Sequence, residues 1–150
     1  MTGSGLYAIV IHLARPKRVT VGKLGVFMFP AGVYVYTGSA IKNLESRVSR
    51  HRKKIKTLRW HIDYLRENSS WAGAVVFPGM KEECALAARI FKAAGGATIC
   101  KGFGSSDCHC ESHLAFSGMG SGRTLEVLER LPGAAPWAPP RGRSALFEPA

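Results

Sequence analysis

An α+β fold, with a small and mainly antiparallel central sheet flanked by helices, is what three features of this sequence predict. Apolar, β-branched segments fill the first forty residues and are joined by short turns marked by glycine and proline. From Asn43 the apolar spacing changes from every second residue to about every 3.6. A short apolar strand, a strongly amphipathic helix and a last strand then follow, before the composition shifts at Pro132 to Pro, Ala, Gly and Arg.

Residues 5–14 (GLYAIVIHLA) read as a buried strand, rich in branched and aromatic side chains. After the turn at Pro16-Lys17, residues 19–29 form one or two strands broken by Gly22 and Gly25, an inserted hairpin. Pro30-Ala31-Gly32 turns the chain into Val33–Tyr36. The first helix places Leu44, Val48 and Ile55 on one stripe, with Asn43 as its N-cap. A second helix near Arg59–Glu67 presents Trp60 and Tyr64, a spacing usual for core packing. Gly73–Phe77 is a strand ended by Pro78-Gly79. The third helix, 81–94, carries Leu86, Ala87, Ile90 and Ala94 on one face and stops at Gly95-Gly96. A last strand lies near His113–Phe116, and residues 123–131 suit a terminal helix. The expected organisation is one domain over 1–118, then a C-terminal helix and a mobile or loosely docked Pro/Arg-rich tail over 119–150.

Charge narrows the function classes. Twenty-one Lys and Arg against ten acids give +11, and residues 1–44 contain no acid. Between Ile41 and Arg66 nine basic residues stand against two acids, Glu45 and Asp63. A concentrated positive field favours a polyanion, and nucleic acid is the expected partner, DNA ahead of RNA. A membrane surface is disfavoured because the segment lacks a bulky apolar face. The longest apolar runs fall far short of a membrane span, and no charged leader precedes the first of them, so a cytoplasmic location is expected.

The stretch Tyr36-Thr37-Gly38-Ser39, followed by Asn43-Leu44, Arg47 and His51, is the most informative. Gly38 permits a tight bend at a strand end. Arg47 and His51 lie one helical turn apart and border the apolar stripe, so both face the sheet. A guanidinium there can bind a phosphate through two parallel hydrogen bonds. On local physics alone, a surface arginine beside a packed tyrosine is the simpler reading.

The pattern Tyr36-x-Gly38, then Asn43-Leu44-x-x-Arg47-x-x-x-His51, resembles the second half of the GIY-YIG nuclease signature, and Gly5-Leu6-Tyr7 resembles the first. The likeness is strongest to a small, stand-alone prokaryotic group related to domains fused to endonuclease III-type proteins. In that group Trp60-His61-Ile62-Asp63-Tyr64 and Gly102-Phe103-Gly104-Ser105-Ser106-Asp107-Cys108 have counterparts in the same order. The resemblance spans roughly residues 5–117. It implies metal-assisted phosphodiester hydrolysis, in DNA repair or processing. Glu83 would bind one Mg²⁺ or Mn²⁺, and Tyr7 would orient or deprotonate the attacking water. Tyr36 would hold a water or phosphate oxygen. Arg47 would lower the pKa of Tyr7 and counter transition-state charge, with His51 an alternative base. Gly38, Arg50, Lys53 and Lys54 would contact nucleic acid. Glu83 shares a helix face with Leu86, Ala87, Ile90 and Ala94, so it points inward, which is costly for a carboxylate unless it is paired or binds a cation.

Two departures from the pattern stand out. Residues 8–35 separate the motif halves, against about ten in most members. Gly32-Val33-Tyr34 mimics the first half, but two strands that pair side by side cannot be one residue apart. In addition, no asparagine follows Asn68, whereas many members carry one on a strand after the third helix. That absence leaves a non-catalytic DNA- or RNA-binding module as the alternative. Finally, Cys108, Cys110 and His113, with Cys84 or Cys100 as a fourth ligand, would suit Zn²⁺, though the spacing matches no standard zinc module and reduced thiols are the favoured reading.

Overall fold

Strand β1 (Gly5–Leu13) occupies the middle of the sheet in the computed structural model, which describes residues 3–105 and 112–139. It pairs antiparallel with β4 (Gly32–Ala40) on one side and β5 (Ser70–Pro78) on the other. Beyond β4 lies β6 (Leu114–Ser117), and beyond β5 the two-residue β7 (Ala135–Pro136), giving the order β6-β4-β1-β5-β7. Every pairing is antiparallel, which places the chain in the α+β class. Between β1 and β4 the chain makes a separate hairpin of β2 (Lys17–Val21) and β3 (Gly25–Phe29), joined by a 3₁₀ turn at Gly22–Leu24. This is the inserted hairpin expected at 19–29.

Helix α1 is Leu44–Arg52, α2 is His61–Arg66, α3 is Glu83–Ala93 and α4 is Ser121–Glu129. Because side chains alternate along a strand, β1 serves two cores. Tyr7, Ile9 and Ile11 join Leu44 and Val48 of α1, Ile62 and Leu65 of α2, and Val21 and Phe29 of the hairpin. Leu6, Ala8 and Val10 join Leu86 and Ile90 of α3 and Leu128 of α4. Each fully buried Leu or Ile contributes about 1.5–3 kcal/mol, so both faces of the sheet are strongly held.

Several expectations are corrected. Ile55 does not extend the α1 stripe: the backbone turns extended at Lys53, and Ile55 is 94% exposed. The helix ends there because its last carbonyls are taken by side chains. Arg66 donates from Nε to the His51 carbonyl at 3.2 Å and from its guanidinium to that of Arg52 at 2.7 Å, a buried cation at the negative end of the helix. Asn43 occupies the N-cap position but does not cap with its side chain; it sits in the left-handed region at φ 56°, and its carbonyl accepts the Arg47 N–H. Helix α3 starts at Glu83 rather than residue 81. The sheet also continues past residue 118, since α4 lies over β1 and β5 and β7 extends the β5 edge. Trp137 meets Trp71 at 5.8 Å between ring centres, so this part of the expected tail is docked, while residues 140–150 lie outside the described part.

Candidate active site

Tyr7 and Tyr36 come from neighbouring strands and point to the same face, with ring centres 6.4 Å apart. Register makes this so: Tyr7 lies opposite Gly38 and Tyr36 opposite Ile9, two steps along, so both side chains leave the same side of the pleat. Gly38 is needed for it. A Cβ at that position would lie 2.4 Å from the Tyr7 hydroxyl and ring, so the missing side chain is the space the phenol occupies. Gly104 serves Tyr36 in the same way: a Cβ there would lie 2.7 Å from its ring, and its φ of 68° also favours glycine.

Above these rings is an open cleft of about 330 Å³, lined among others by Tyr7, Tyr36, Gly38, Arg47, His61 and Glu83. The structure thus brings Tyr7, Tyr36, Arg47 and Glu83 together from β1, β4, α1 and α3. Arg47 donates to the Ser39 carbonyl at 3.1 Å and lies over the Trp60 ring, 4.7 Å from its centre. Trp60 is therefore more than core packing: it fixes the cationic wall of the cleft. Its other guanidinium neighbour is Arg50, 4.4 Å from the ring centre.

His51 sits behind the cleft, 1% exposed, with Nε2 2.7 Å from the Tyr7 hydroxyl. Burial, with Lys56, Arg50 and Arg47 nearby, lowers its pKa to about 3, so the ring is neutral. Its Nδ1 is buried without a hydrogen-bond partner among the described residues. The Tyr7 phenol is raised well above its ordinary value, first by burial and then by Tyr36. Arg47 does act to lower it, as expected, but burial outweighs the guanidinium and the phenol keeps its proton. Burial raises Tyr36 too.

Glu83 stands at the start of α3, half-buried, with Oε2 2.6 Å from His113 Nδ1. Burial works to raise its carboxyl, but hydrogen bonds from His113 and Ser39 outweigh it and hold the group below its ordinary value, ionised at neutral pH. A single carboxylate of this kind could hold a hard divalent ion that keeps several of its waters. A cage made of protein alone is not what this cleft offers.

Other expected residues go elsewhere. Arg50 makes a two-pronged bond to Asp63, at 3.1 and 3.2 Å, and donates to the Thr57 carbonyl at 2.7 Å. Asp63 is fully buried and also accepts the backbone N–H groups of Arg59 and Trp60, at 2.8 and 3.0 Å, and faces Lys56 at 3.8 Å. Burial acts to raise its carboxyl, and the bonds from Arg50, Trp60 and Arg59 more than reverse that. Arg50, Lys56 and Arg66 are thus tied into the fold, whereas Lys53 is exposed and Lys54 partly so. Cys108 and Cys110 lie outside the described residues, and His113 is held by Glu83, with Nε2 3.7 Å from Cys84 Sγ. Among the described residues no group of three His, Cys, Asp or Glu side chains is arranged to hold a metal. Nor, among them, is any helix long and apolar enough to cross a membrane. Sequence reasoning left His61 open and missed Ser39 and Gly104; only the resemblance of residues 102–108 pointed near the last of these.

The chain belongs to the family described as Domain of unknown function DUF123, whose model matches residues 6–131. The match begins in β1 and runs beyond α4, so it includes every cleft residue named above. No curated protein and no solved structure matches it.

Proposed function

We propose that this DUF123 family member is a metal-dependent endonuclease of the GIY-YIG type, hydrolysing phosphodiester bonds in DNA during repair or nucleic-acid processing. The observation that carries the reading is the convergence of Tyr7, Tyr36, Arg47 and Glu83 on one open cleft. Residues from two strands and two helices, far apart in the chain, line it together. Retained acidic and basic groups at one point are what in-line displacement at phosphorus requires.

Glu83 would hold one Mg²⁺ or Mn²⁺, which when bound supplies Lewis-acid polarisation of the scissile phosphate. Arg47 spends one N–H on the Ser39 carbonyl and also bonds to the Tyr7 hydroxyl, and its remaining N–H groups would meet the phosphate oxygens. Tyr36 donates its hydroxyl to a phosphate oxygen or orients the water. Tyr7, protonated and bonded to His51, works as a relay. The attacking water gives a proton to the Tyr7 oxygen while the Tyr7 proton passes to His51 Nε2. The water oxygen forms the new bond to phosphorus, the ester bond breaks, the leaving oxygen takes up a proton from solvent water, and His51 then returns its proton through Tyr7 to solvent. A low His51 pKa opposes this step in the free protein. Burial is the main cause of that low value and the nearby cations a lesser one, so a bound phosphate would relieve only the smaller part of this opposition.

That same resting neutrality of Tyr7 and His51 favours a second reading, a DNA- or RNA-binding module without turnover. Incubation of the protein with single-stranded, duplex and branched DNA, with Mg²⁺ or Mn²⁺, separates the two. Metal-dependent products on any of them support the nuclease. No product, together with tight binding that weakens steeply with salt, supports the module.

A further inference from the structure

We infer that His61 is a substrate-binding group, its Nε2–H donating to a non-bridging oxygen of the phosphodiester in the cleft; the inference rests on the phosphodiester reading above. The case begins with a backbone amide. Gly104 N–H donates to His61 Nδ1 at 2.8 Å. An amide N–H can only donate, so Nδ1 must be the bare nitrogen, and in the neutral ring the proton is then on Nε2. Burial lowers the His61 pKa, in keeping with a neutral ring at physiological pH.

The same bond fixes the ring's direction. Gly104 lies against Tyr36, where a Cβ would come within 2.7 Å of that ring, so His61 and Tyr36 are set by one residue. Phe103 packs edge-on to the imidazole at 5.6 Å between ring centres, and its own ring meets Tyr36 at 6.0 Å. His61 lines the cleft with Arg47 and Glu83, and its Nε2 has no partner among the described residues. His51 differs at each point. It is sealed from solvent, and its contact with Tyr7 leaves the tautomer open because a hydroxyl can donate or accept. Of the two histidines, only His61 combines an enforced donor with access to the cleft. A neutral donor beside the cationic Arg47 also adds a directed hydrogen bond without further like-charge repulsion.

Two substitutions separate donation from packing. His61→Phe keeps a ring against Phe103 and removes the N–H; His61→Gln places an amide N–H near the position of Nε2. Both lose the imidazole acceptor for Gly104, so both lower stability; a packing role would damage His61→Gln at least as much as His61→Phe, because only Phe keeps the ring. The inference predicts that kcat/KM for DNA cleavage falls about 10- to 100-fold in His61→Phe, the range for a hydrogen bond to a charged group, and distinctly less in His61→Gln. Equal loss in both, a greater loss in His61→Gln, or none in either, overturns it. A second readout does not depend on turnover: the His61 ring signals in an ¹⁵N-histidine spectrum should shift when thymidylyl-thymidine is titrated in without metal. If wild type fails to cleave but the signals move, the nuclease reading falls and the donor assignment stands. Signals that stay put while the dinucleotide binds overturn the assignment whatever the cleavage result.

Discussion

Along β1, Leu6, Ala8 and Val10 turn towards α3 and α4, whereas Tyr7, Ile9 and Ile11 turn towards α1 and α2. The first face is aliphatic apart from Phe77, and among its buried members no side chain carries a titratable group. The second buries Tyr7, Tyr36 and His51 and lies beside fully buried Asp63 and nearly buried Arg66. One strand therefore separates a layer whose core is aliphatic from a layer that also buries titratable groups, and Tyr7 and Tyr36 of the cleft stand on the second. Aliphatic packing tolerates small volume changes with modest loss. A buried polar network does not, because removing one member strands the others away from water.

The largest stability effect is expected from that network. Asp63→Ala leaves the Arg59 and Trp60 amides without their acceptor and Arg50 with only the Thr57 carbonyl, and should cost about 3–5 kcal/mol in urea unfolding. A loss below 1 kcal/mol would show that the network is not what holds α1 to α2. Next comes pH. His51 has a lowered pKa in the folded state, about 3 against an ordinary 6.5, so the unfolded chain binds the extra proton first. Its stabilising effect is complete above about pH 6.5 and is lost as pH falls towards 3, at up to about 1.4 kcal/mol per pH unit. His61 adds in the same direction, and Asp63, with a lowered carboxyl pKa, only below about pH 4. Thermal unfolding across pH 4–7 should show a shallower slope in His51→Gln than in wild type. The smallest effect belongs to the aliphatic face: Ile90→Val should cost about 0.5–1.5 kcal/mol and leave DNA cleavage unchanged.

Periodicity made the sheet and helices legible, because alternation along β1 and β4 and the apolar stripe of α3 are local properties of the chain. The site was legible in part. Tyr7 and Tyr36 had to come from paired strands, which ruled out Gly32-Val33-Tyr34 as the first motif half; those three residues lie in β4 itself. The fate of the cations was not legible. Arg50 and Arg66 look like solvated charge in sequence, and what ties them down is a carboxylate and helix-end carbonyls supplied by other segments. His113 was hidden for a related reason. Cys108 and Cys110 lie a few residues before it and suggest a metal, while its partner Glu83 begins a helix elsewhere in the chain. Non-local pairing of charged groups leaves no mark on local spacing.

The central claim is that groups from four separate elements act as one site. Metal-dependent DNA cleavage by wild type, Arg47→Ala, Glu83→Ala and the double variant tests it most directly. Each single variant should lose about 100- to 1000-fold in kcat, and the double should lose much less than the product of the two, as members of one unit do. Wild-type cleavage surviving both substitutions would contradict the account.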